Sequence, residues 1–131
     1  MINIGNQKPV TSNQNMEFQI DFEKLKVYQK ALDFIDSIFQ LIRKIPQEYK
    51  YSIGDNLLRA SLSIANNLAE GNDQISLKER HRYFRISSNS ARECVSVLIV
   101  LDRQKLIDHE FYLSLKFQAR EITSMIQGLR R

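Results

Sequence analysis

From Leu25 onward the apolar residues Leu25, Tyr28, Leu32, Ile35, Phe39 and Ile42 recur at alternating steps of three and four, the spacing of one helix face. A second seam runs beside it through Val27, Ala31, Phe34, Ile38, Leu41 and Ile45. This helix therefore carries more apolar surface than a single neighbour requires, so it is either deeply buried or faces another subunit. Pro46 removes a backbone donor and disfavours helical geometry at Ile45, which predicts the helix end there.

The pattern then restarts three times. Ser52 is expected to cap a second helix with the inner face Ile53, Leu57, Ala60, Ile64 and Leu68, and Gly71 to close it in the left-handed conformation. Ser76 and Glu79 have capping-box spacing and open a third helix running to about Gln104. Asp108 caps a fourth, with the face Phe111, Leu115, Ala119, Ile122, Ile126 and Leu129. Connections of a few residues force neighbouring helices to be antiparallel, so the expected fold is an all-α, up-down-up-down four-helix bundle over residues 21–131. Residues 1–20, polar and rich in Asn and Gln, read as a flexible N-terminal arm without the basic-then-apolar order of a secretion signal.

Composition agrees with helices. Four glycines, two prolines and no tryptophan in 131 residues leave too little punctuation for a many-stranded β fold. No apolar run reaches the roughly 20 residues that span a bilayer, so no membrane partner is expected. One cysteine, Cys94, cannot form an internal bridge, which fits the cytoplasm.

Charge adds more. The net charge is only +4, but residues 76–105 hold seven Lys or Arg against three Asp or Glu, a surplus equal to the whole. Within that stretch Lys78, Arg82, Arg85, Asn89, Arg92 and Ser96 recur at helical steps and stack four cations along one stripe. A stripe of this kind can follow the phosphates of RNA or DNA, giving affinity without sequence selectivity. The plainer account is a solvated face with its arginines paired to Glu79, Glu93 or acids of other helices.

Catalytic chemistry finds less support. Arg59, Asn67 and Glu70 form a second polar cluster in which Glu70, near a helix C-terminus, calls for a cationic or backbone partner such as Arg59 or Arg92. As a general base Glu70 lacks a nucleophile or second acid nearby in sequence, so a structural role is expected. Ser87, Ser88, Ser90 and Ala91 lie opposite the small residues Ala60, Ser61 and Ala65, which fits close helix approach better than a serine nucleophile. His81, His109 and Cys94 show no metal-ligand spacing, and the isolated glycines make no phosphate loop. No metal, cofactor or enzyme activity is expected.

Three stretches carry a resemblance. They are Phe22-Glu23-Lys24-Leu25-Lys26-Val27-Tyr28-Gln29-Lys30-Ala31-Leu32, then Ile45-Pro46, then Arg59 through Gly71 ending in Asn67-Leu68-Ala69-Glu70-Gly71. Together with Ser76, Glu79, Tyr83, Phe84 and Ser90-Ala91-Arg92-Glu93, they resemble the bacterial four-helix-bundle family encoded within intervening sequences of 23S ribosomal RNA. The chain departs from that family in having Tyr28 where tryptophan is common and Ala65 where proline is common. The resemblance implies a ring-like homo-oligomer, commonly a pentamer, without established enzyme activity. A related branch serves diversity-generating retroelements as an accessory protein, which makes a reverse transcriptase an alternative partner and a protein adaptor the alternative function.

Overall fold

The computed structural model describes residues 18–130, and among them every regular element is helical. A 3₁₀ turn, Asp21–Lys24, leads into α1, Lys26–Lys44. Then come α2, Asp55–Asp73, α3, Leu77–Arg103, and α4, His109–Leu129. Residues 1–17 of the expected N-terminal arm lie outside the described residues.

Helices α1 and α3 each lie beside both α2 and α4, which closes the four into a bundle. The link from α2 to α3 is only residues 74–76, so the two run antiparallel, and they make the most extensive helix pair. The second seam of α1 is the core seam: Val27, Ala31, Phe34, Ile38, Leu41 and Ile45 are all buried. They meet Leu57, Ile64 and Leu68 of α2, Phe84, Leu98 and Leu101 of α3, and Leu115, Ile122 and Ile126 of α4 in one apolar cluster. Ile35 of the first seam is buried as well, whereas Leu32 and Phe39 are exposed. In α4 the expected face is joined by Tyr112, which is buried, while Leu129 is not.

Helix ends follow local chemistry where a side chain makes the cap. Ile45 takes an extended conformation before Pro46. Ser76 Oγ accepts from Glu79 N at 3.3 Å, and Asp108 Oδ2 accepts from Phe111 N at 3.1 Å.

Two expected ends are corrected. Ser52 does not cap α2: it sits inside a π-helical turn, Lys50–Gly54, which continues a short helical turn, Gln47–Tyr49, directly into the helix. Gly71 does not close α2 in a left-handed conformation either, since the helix continues to Asp73 and no described glycine has positive φ. Its hydrogen atom is required by packing. A Cβ at Gly71 would stand 2.7 and 2.8 Å from ring carbons of Phe84 and 3.0 Å from Tyr83 Cβ.

Candidate nucleic-acid interface

The stripe on α3 is outward-facing because of the register of its buried positions. Phe84, Ser87, Ala91, Cys94, Leu98 and Leu101 occupy the inner face, leaving Lys78, Arg85, Asn89, Arg92 and Ser96 exposed on the opposite side. Lys78, Arg85 and Arg92 are spaced by seven residues, or about 10 Å along the axis per step. None of the three forms an ion pair among the described residues.

Arg82 differs from its neighbours. Its Nε donates to Glu79 Oε1 at 3.0 Å, and its guanidinium lies 4.5 Å from the centre of the Tyr83 ring. Glu79 is thereby turned to Arg82, so the capping box at the start of α3 is represented by the Ser76 bond. The pair is solvent-exposed and interchangeable with other partners at small cost.

The second cluster is not brought together. Arg59 meets Glu93 at 3.8 Å, with both side chains largely in solvent. Asn67 turns instead into the seam between α2 and α3, where Nδ2 donates to Ser63 O at 2.8 Å and contacts Ser63 Oγ at 3.0 Å. Ser63 and Ser90 hydroxyls are 2.8 Å apart across that seam, and Ser87 Oγ donates to Ile64 O at 2.7 Å. The small residues therefore serve close helix approach. Glu70 is exposed and pairs with neither Arg59 nor Arg92; it lines an open recess together with Asp21 and Asp73. Water solvates the charge there, which is why no cationic partner is needed.

Three side chains of consequence were not singled out in the sequence. Arg80 Nη1 donates to Asn72 O at 3.1 Å and to Gln74 O at 3.4 Å, tying the end of α2 to the start of α3. Lys116 and Arg120 of α4 join Arg92 around a groove between α3 and α4. Their spacing of four residues on one helix was the available signal.

The other reactive side chains are accounted for. Burial pushes the Cys94 thiol up to about 12, assisted by the nearby Glu93 charge. His109 Nδ1 lies 2.8 Å from Asp102 Oδ1, and that hydrogen bond, followed by the charge of Asp102, raises the imidazole above its ordinary value. No group of three or more His, Cys, Asp or Glu able to hold a metal occurs among the described residues, and no described helix is long and apolar enough to cross a membrane.

A small helical bundle whose α3 presents a row of outward-facing cations is the class of protein that these features define. The profile of the 23S rRNA-intervening sequence protein family matches residues 23–128, and the chain belongs to that family. A search of curated proteins finds no match. Among solved structures the fold is similar to a protein of unknown function from the S23 ribosomal protein family of Bacteroides thetaiotaomicron VPI-5482. That likeness has a TM-score of 0.74 at 24% identity and covers 80% of this chain and 98% of the other.

Proposed function

We propose that this protein is a non-enzymatic, homo-oligomeric scaffold that binds RNA or DNA through the outer face of α3, as a pentamer in keeping with the family resemblance. The observation that carries the nucleic-acid reading is the row Lys78, Arg85 and Arg92, exposed and without acidic partners among the described residues. Such a row neutralises phosphates on a strand while leaving base edges unread, so affinity falls steeply with salt and depends little on sequence. Arg82 joins the row when a phosphate displaces Glu79.

The oligomeric part is supported by the first seam of α1, which its own bundle leaves partly exposed at Leu32 and Phe39. The non-enzymatic part is supported by the engagement of Ser63, Ser87 and Ser90 in contacts between helices and by a buried, protonated Cys94.

An adaptor function draws on a different observation. Ile75, 99% exposed, and Leu77, 65% exposed, project at the α2–α3 turn beside Lys78, a mixed apolar and basic tip suited to a protein such as the reverse transcriptase of the related branch.

Fluorescence titration with single-stranded and duplex RNA and DNA at low salt tests the first reading against the second. Binding to unrelated sequences with similar affinity supports the scaffold. Absence of binding to all four, together with capture of the protein partner, supports the adaptor.

A further inference from the structure

We infer that the groove between α3 and α4 receives the exposed ridge of α1 from a second copy of this chain, so that the subunits join ridge to groove. This deepens the oligomeric reading above and rests on it.

The groove exists because small residues form its floor. Ala91 of α3 and Ala119 of α4 are buried where larger side chains would fill the space, and Val95, Ile99, Leu113 and Phe117 stand as apolar walls. Its volume is about 610 Å³. Ile99, Leu113 and Phe117 are all exposed on these walls, so that they form a contiguous apolar patch of the kind that marks a contact surface. The charged lining is wholly cationic, namely Arg92, Lys116 and Arg120.

The ridge has the complementary character. Leu32 and Phe39 of α1 are 37% and 41% exposed and lie seven residues apart on one side of the helix. Asp33 and Asp36 stand between them in sequence and are exposed, without ion pairs among the described residues. The cations of α1, Lys26, Lys30, Arg43 and Lys44, lie toward its two ends, and Lys30 is held by Glu121 at 3.5 Å. A second copy's α1 laid in the groove therefore sets two aspartates against Lys116 and Arg120, with Arg92 left to the outer row of α3, while covering apolar surface on both sides. Charge of this arrangement fixes register and excludes a like face. Ridge and groove lie on different parts of the surface, so the contact is heterologous, and repeating it makes a closed ring or an open filament.

The test uses two full-length variants at exposed positions, Phe39→Lys on the ridge and Phe117→Asp in the groove, each checked for unchanged helicity by circular dichroism. Light scattering is expected to give a multiple of 15.4 kDa for the unaltered protein and 15.4 kDa for each variant alone. An equimolar mixture is expected to form a one-to-one complex, because the intact ridge of Phe117→Asp meets the intact groove of Phe39→Lys. A mixture that stays monomeric, or a single variant that keeps the mass of the unaltered protein, overturns ridge-to-groove docking while leaving self-assembly standing. If Phe117→Asp keeps that mass but loses RNA binding, the groove belongs to nucleic acid and the inference fails. A monomeric unaltered protein contradicts the oligomeric reading itself.

Discussion

The ring of Phe84 lies against Gly71 so closely that a single added methyl group would come within 2.7 Å of it. Phe84 is fully buried and cannot swing aside, so the contact fixes how near α2 and α3 approach. Gly71→Ala is expected to destabilise the fold by about 1–3 kcal/mol through overpacking, in excess of the ~1 kcal/mol that alanine offers a helix. Gly128→Ala is the control: a Cβ there has nothing within 4 Å, and a gain of a few tenths of a kcal/mol is expected near the end of α4. Urea denaturation of both variants measures the difference, which should be opposite in sign.

Lys105 ends α3 with φ of 60°, the one positive-φ non-glycine residue described. Leu106 N donates to Leu101 O at 2.9 Å and Lys105 N to Asp102 O at 3.0 Å, the bond pair of a Schellman ending. A left-handed lysine costs about 1–2 kcal/mol, partly offset because glycine loses more freedom on folding. Lys105→Gly is expected to raise stability by about 0.5–1 kcal/mol, read as a thermal midpoint higher by a few degrees.

Cys94 is buried in the α3 face of the core and its thiol is held protonated. The thiolate is the reactive form, so labelling by an aromatic disulfide reagent at neutral pH is expected to be slow and to follow unfolding. Addition of urea above the midpoint should release one thiol per chain at once. Rapid labelling of the folded protein would place Cys94 at a surface.

The pair of His109 and Asp102 gives the α3–α4 turn a pH dependence. Because the folded imidazole is raised above its unfolded value near 6.5, its contribution is fully present below that value and is lost as pH rises through the folded one. Asp102→Asn should therefore lower the His109 midpoint followed by NMR. Its effect on stability should be larger at pH 5.5 than at pH 9.

Where the sequence was legible, the physics was local or periodic. The seam Val27 to Ile45 follows from helical spacing alone, as do the cap at Asp108 and the outward placement of Lys78, Arg85 and Arg92. Gly71 was misread as a helix end because its reason for being glycine is a ring thirteen residues away, and a residue with no side chain gives no hint of which neighbour needs the space. Ser52 has the chemistry of a cap, yet the π-helical turn absorbs it, since Lys50–Gly54 contains no proline to break the backbone. The Arg59–Glu93 pair and the solvated Glu70 depended on how α2 and α3 rotate about their axes, which spacing within either helix does not determine. The groove was hidden for the same reason, its cations being shared between Arg92 on one helix and Lys116 and Arg120 on the next.

The most direct measurement is the salt dependence of RNA affinity for the unaltered protein beside a Lys78→Glu, Arg85→Glu variant, whose changes lie on the outer face of α3 and leave the groove intact. Each phosphate neutralised on a single strand contributes about 0.7 to the slope of log K against log salt. Weaker binding at every salt concentration and a slope shallower by at least about 1.4 are expected for the variant, with helicity and mass unchanged. An unaltered slope and affinity in the variant would contradict a nucleic-acid interface on α3.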